Sequence, residues 1–218
     1  MAFENRAEAG QMLARHLDKY RGQHPLVLAI PRGAVPMGKI VADALGGELD
    51  VVLVRKLRAA QNPELAIGSL DETGSVYLDP DARDLWDERY LEGEKKTQLA
   101  TLRRRRRMYE PAASPIDAAG RIVIVLDDGI ATGSTMIAAL RAVRARHPAK
   151  LIAATGVASA EALRLIGREA DEVVCLETPE ILYAIGYHFR DFSQVSDEEV
   201  VATLREARKP RANSAATS

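Results

Sequence analysis

The run Asp127-Asp128-Gly129-Ile130-Ala131-Thr132-Gly133-Ser134-Thr135 concentrates more chemistry than any other stretch of the chain. Its adjacent carboxylates can accept hydrogen bonds from a sugar diol or gather a magnesium ion. A turn rich in glycine and hydroxyl groups follows and opens onto an amphipathic stretch. Backbone amides at such a helix start point at an anion, and the helix dipole favours negative charge there. Thr132, Ser134 and Thr135 can add hydroxyl donors to the same anion. Phosphate at one end and hydroxyls at the other describe a sugar phosphate.

The elements that must hold this run can be read around it. Ile122 to Leu126 is a continuous apolar, mostly β-branched run, which predicts a strand buried on both faces. The carboxylates then sit at its carboxyl end, where open parallel sheets bind their ligands. Met136, Ile137, Leu140 and Val143 mark the helix beyond it, stopped by Pro148. Upstream, Leu26 to Ile30 predicts a strand, Pro31 to Ala34 a turn, and Met37 to Leu45 a helix ending at Gly46-Gly47. With a strand over Leu49 to Val54 this makes a right-handed parallel β-α-β unit. Leu151 to Val157 and Glu172 to Leu176 supply two further strands, and a first helix runs from about Arg6 to Tyr20. The expected fold is α/β: an open, mostly parallel five-stranded sheet with helices on both faces.

Two stretches break the rhythm. Arg55 to Pro63 lacks an apolar period and predicts an exposed loop. Leu65 to Leu70 and Ser75 to Leu78 predict a hairpin, and Asp81 to Tyr109 is mostly helical, so residues 57–120 form an insertion of loop, hairpin and helices. Glu177 to Val195 is irregular and aromatic-rich, and Ser196 with Glu199 makes a capping box for a last helix. The segment 208–218 reads as a frayed tail on a single domain spanning 1–218.

Composition narrows the classes. The 218 residues carry a net charge of −1, so nothing global advertises nucleic acid. A lone Cys175 excludes an intramolecular disulfide and multi-cysteine zinc motifs. No apolar stretch is long enough to span a bilayer, and a signal-peptide core is missing, which together predict a cytoplasmic protein with no membrane partner. The arginine run Arg103 to Arg107 points around most of a helix and so cannot form a single binding face; a solvated face or a homo-oligomer contact is the first reading, with an anion or RNA contact as the alternative.

The order of apolar strand, Asp-Asp, Gly and Ala-Thr-Gly-Ser-Thr resembles the phosphoribosyl-pyrophosphate signature of the type I phosphoribosyltransferases. The layout, with a long insertion after the second strand, resembles a poorly characterised bacterial group of that family. The resemblance implies a magnesium-dependent transfer of ribose 5-phosphate from phosphoribosyl pyrophosphate to a small nitrogenous acceptor. Asp127 and Asp128 would hold the ribose hydroxyls and work with magnesium indirectly, through substrate or water. Gly129 and the loop Ala131, Thr132, Gly133, Ser134 and Thr135 would cradle the 5′-phosphate. Arg32 and Gly33 match the family's pyrophosphate loop, and Arg55 and Lys56 would neutralise the leaving pyrophosphate, Lys56 as a catalytic group. The segment 177–207 would form a hood, with Thr178, Tyr183 and Tyr187 as acceptor contacts. Ala131 stands where the 6-oxopurine enzymes carry an acid, so the acceptor is unnamed. A non-catalytic sensor of phosphoribosyl pyrophosphate or a nucleotide, regulating a partner or RNA, is the alternative. Retention of Arg32 and Lys56 favours the enzyme.

Overall fold

A computed structural model describes residues 3–62, 65–109 and 115–209. Pro63, and residues 210–218 of the expected tail, lie outside the described residues. The main sheet is parallel, in the order β2-β1-β6-β7-β8, with β1 Leu26–Ala29, β2 Glu48–Val51, β6 Ile122–Ile130, β7 Lys150–Ala158 and β8 Glu172–Glu177. Helices α1 (Arg6–His16) and α2 (Ala34–Leu45) share one hydrophobic core with one face of this sheet. Helices α4 (Ser134–Arg144) and α5 (Ala160–Ile166) share a second core with the other face. The doubly covered α/β sheet predicted from periodicity is therefore present.

Central strands read as unbroken apolar runs because both faces are covered. Val123, Ile124, Val125 and Leu126 of β6 are fully buried, alternating between the two cores. Each such side chain stabilises the fold by about 1.5–3 kcal/mol. Helix α2 ends where Gly46 takes a left-handed φ of 70°, a conformation that glycine adopts without a Cβ penalty.

Three expectations needed correction. The acidic pair does not follow β6 but lies inside it, since Asp127 pairs with Thr155 and Ile130 with Ala158 of the equally long β7. Backbone pairing with a long neighbour continues whatever the side chains are. The stretch read as a loop after Val54 is partly a strand, β3 (Val54–Arg58). It pairs antiparallel with β4 (Ala66–Asp71), which pairs with β5 (Val76–Leu78) in a separate three-stranded sheet. Leu57 alone among its residues is fully buried, so no apolar alternation advertised it.

The third correction concerns the arginine run, which lies on α3 (Glu88–Tyr109). Arg103, Arg104 and Arg107 are exposed, but Arg106 is only 6% exposed. Its guanidinium grips both oxygens of Glu72, lies 3.3 Å from Asp50 Oδ1 and donates to the Val51 carbonyl at 3.1 Å. Asp50 in turn accepts from the Ile116 amide at 2.9 Å. A buried network thus fastens α3 and the hairpin turn to the edge strand β2. Among the described residues no helix is long and apolar enough to cross a membrane.

Candidate active site

Chain direction locates the site. From β1 the chain steps outward to β2, whereas from β6 it steps the other way to β7 and β8. The carboxyl ends of β1 and β6 therefore flank a topological switch point, where open α/β sheets leave a crevice. The loop after β1 carries Arg32 and Gly33, and the end of β6 carries Asp127 and Asp128. A cleft of about 450 Å³ opens between them, lined by Arg6, Arg32, Gly33, Asp128, Ile185, Phe192, Gln194 and Val195.

Gly33 has an ordinary φ of −57°, so its backbone does not require glycine. A Cβ there would lie 2.0 Å from Asp128 Oδ2, so any side chain would have to displace that carboxylate. The Pro31–Arg32 peptide preceding it is cis. Arg32 is partly exposed, and its Nη1 lies 3.5 Å from Asp197 Oδ2 on α6 (Asp197–Ala207). Asp197 also accepts a 2.7 Å bond from the buried Tyr109 hydroxyl. Burial and that carboxylate raise the tyrosine pKa.

Asp127 Oδ1 accepts from the Asp128 amide at 2.9 Å. Burial, reinforced by the neighbouring Asp128 charge, nonetheless pushes the Asp127 carboxyl well above the usual range. Asp128 Oδ2 accepts a 2.8 Å bond from Arg6 Nε. Arg6 also donates to the Ser193 carbonyl at 2.7 Å and lies 3.8 Å from the centroid of the Phe192 ring.

The turn predicted to hold phosphate runs Ala131-Thr132-Gly133, and α4 starts at Ser134. Gly133 is the N-cap, with a left-handed φ of 81° and no capping side chain. The first amides of α4 therefore keep their donors for a ligand. Thr132 Oγ1 and Ser134 Oγ lie 2.9 Å apart, and Thr135 is exposed beside them. Ser159 steadies the turn by donating to the Ala131 carbonyl at 2.8 Å. Gly129 passes under Ile185, where a Cβ would fall 2.2 Å from Ile185 Cγ2.

Other predicted residues stand elsewhere. Arg55 donates to Gln98 of α3 at 2.5 Å, and burial with the charges of Arg105 and Arg58 lowers its pKa. Lys56 is exposed on the opposite face of β3. Neither lines the cleft around Arg32. Thr178 is exposed, as are Tyr183 (80%) and Tyr187 (79%), and none of them lines that cleft. Ile185 and Phe192 supply its apolar wall instead.

Sequence reading missed Arg6 and Asp197. One local signal marks Arg6: a cation at the first position of a helix opposes the macrodipole, so something else must hold it there.

The family model described as Phosphoribosyl transferase domain matches residues 3–189. The chain belongs to this family. Two Mycobacterium tuberculosis proteins, whose names assign them provisionally to the phosphoribosyl transferases, are 38% identical over 216 residues. The match covers 98% of this chain and 49% of theirs, so the chain spans about half the length of these curated relatives. The crystal structure of TT1426 from Thermus thermophilus is 43% identical, with a TM-score of 0.88 over 94% of this chain and 99% of that one. The AQ2163 protein of Aquifex aeolicus shares the fold of this phosphoribosyl transferase chain at 15% identity and a TM-score of 0.50, covering 83% of this chain and 78% of its own.

Proposed function

We propose that this phosphoribosyl transferase chain moves ribose 5-phosphate from phosphoribosyl pyrophosphate to a ring nitrogen of a small acceptor, a nucleobase, and releases pyrophosphate. The observation that carries the reading is the contact of Asp128 with Gly33, which joins a diol-binding carboxylate to a diphosphate loop. In that reading Asp127 and Asp128 accept from the ribose hydroxyls, and their charge favours the electron-poor anomeric carbon. The first amides of α4, with the Thr132, Ser134 and Thr135 hydroxyls, fix the 5′-phosphate. Arg32 and the Gly33 backbone take the diphosphate, and Lys56 is the cation assigned to the leaving group. As the anomeric C–O bond breaks, its electron pair leaves with pyrophosphate. The acceptor nitrogen forms the new C–N bond and gives up its proton. Holding both reactants in one cleft supplies much of the rate.

Magnesium suits these residues. Asp127 Oδ1 meets the Asp128 amide and Asp128 Oδ2 meets Arg6, which leaves one oxygen on each carboxylate. Among the described residues no group of three or more acidic, histidine or cysteine side chains forms a cage. Magnesium commonly uses one or two carboxylates with substrate oxygens and water. When bound, it would offset charge on the diphosphate.

Calorimetric titration with phosphoribosyl pyrophosphate and magnesium tests donor binding, and pyrophosphate release across a panel of nucleobases tests transfer. Binding followed by base-dependent release is expected. Binding without release from any base would make the chain a sensor, and no binding by folded protein would end both readings.

A further inference from the structure

Arg6 stands on the first turn of α1, 122 residues from the carboxylate it contacts. Three contacts fix its plane: Nε to Asp128 Oδ2 at 2.8 Å, Nη1 to the Ser193 carbonyl at 2.7 Å, and a face laid 3.8 Å from the Phe192 centroid. Nη2 makes no hydrogen bond among the described residues, yet it lies 3.1 Å from where a Cβ on Gly33 would be. The free edge of the guanidinium therefore faces the loop after β1, beside Arg32 in the same cleft.

We propose that Arg6 is a substrate-binding residue for the diphosphate, reaching it from the N-terminal helix as a second cation opposite Arg32. This rests on the functional reading above. A guanidinium offers five N–H donors, and the contacts described engage two of them. The remaining donors, including both on Nη2, suit phosphate oxygens in a fork. Among the described residues the Arg32 side chain is held only by a 3.5 Å contact, and it is partly exposed, so it must be ordered as ligand arrives. Arg6 is already oriented by its carboxylate and by the ring beneath it, so little freedom is lost on binding.

The same contacts give the residue a second consequence. The Phe3 amide donates to the His188 carbonyl at 2.8 Å, and the Arg190 amide donates back to the Phe3 carbonyl at 2.8 Å. The start of α1 and the 188–193 segment are thus joined through their backbones. A diphosphate held by Arg6 ties both to the loop after β1, whereas a ligand without a diphosphate does not.

The test is calorimetry with magnesium on wild type, R6Q and R6K, using phosphoribosyl pyrophosphate, inorganic pyrophosphate and ribose 5-phosphate. Losing a charge-assisted bond of about 1.5–3 kcal/mol predicts roughly ten- to hundredfold weaker binding of the first two to R6Q. Ribose 5-phosphate should stay within about twofold, and R6K should recover part of the loss. Equal binding by R6Q, or equal weakening of all three ligands, overturns the proposal, the latter making Arg6 a clamp acting through Asp128. If R6Q does not fold, R6K carries the same comparison, since it keeps a charge but loses the fork. Wild type that binds neither diphosphate overturns both the proposal and the reading beneath it. Arg6-dependent pyrophosphate binding without transfer to any base overturns only the catalytic reading.

Discussion

Gly33 and Asp128 touch: a methyl group on the glycine would sit 2.0 Å from the carboxylate oxygen and 2.9 Å from its carbon. The two residues are remote in sequence and arrive from β1 and β6, neighbouring strands whose carboxyl ends open the crevice. Their contact makes one site out of two loops. It also means that a side chain at this position must push the Asp128 carboxylate aside, although a φ of −57° would suit any residue.

Gly33→Ala should displace the Asp128 side chain and break its bond to Arg6. Overpacking of this kind costs about 1–3 kcal/mol. Thermal unfolding should show the loss, and phosphoribosyl pyrophosphate should bind at least about tenfold more weakly, by roughly 1.4 kcal/mol. Unchanged melting and affinity would mean that the carboxylate does not rest on this glycine.

Asp127→Asn should stabilise the protein near neutral pH while weakening donor binding. Burial and the Asp128 charge raise the folded-state pKa of Asp127, so the unfolded chain releases this proton more readily. Stability is therefore lost as pH rises from the unfolded value, about 3.9, towards the raised folded value. Scanning calorimetry from pH 4 to 8 should show the variant's advantage growing with pH, at about 2–4 °C of melting temperature per kcal/mol. A constant or shrinking advantage would contradict the charge argument.

Glu172→Gln should act with the opposite pH sign. Burial raises the carboxyl, but hydrogen bonds from Lys19, Tyr20 and Lys150 outweigh it and hold the pKa at about 2. This depressed value contributes stability that is complete above about 4.5 and fades as pH falls through about 2. Because Glu172 is partly exposed and screened by salt, the variant should lose only about 1 kcal/mol at pH 7. The difference from wild type should close on acidification, and a gap that persists at pH 2 would refute it.

Arg106→Leu leaves Glu72 buried without the cation that grips it, and leaves Asp50 with Arg208 at 3.9 Å. Removing one partner of a buried network costs about 3–5 kcal/mol. Urea titration should show this loss, and replacing both carboxylates by apolar residues in the same chain should restore most of it. A loss under about 1 kcal/mol would return Arg106 to the solvated face, where surface pairs contribute that little.

Local sequence was enough for the parallel sheet, because five apolar runs, each punctuated by turn chemistry, leave few ways to cover both faces. It was enough for the glycine- and hydroxyl-bearing turn before α4 too, since Gly133 and the first residues of α4 are contiguous and their donors belong to one helix start. It failed where a residue's meaning depends on a distant partner. Arg106 looked like its exposed neighbours Arg103, Arg104 and Arg107 until Asp50 and Glu72 folded around it. Lys56 and Arg55 are adjacent letters, yet the pleat sends them to opposite faces of β3. Arg6 carried only a faint local oddity, a cation at a helix start. Periodicity and turn chemistry are local, so the sequence by itself determined the five strands of the main sheet and the turn that opens α4. Side-chain contacts across strands are not local, so only the tertiary structure decided which arginines, and which wall of the hood, face Asp128.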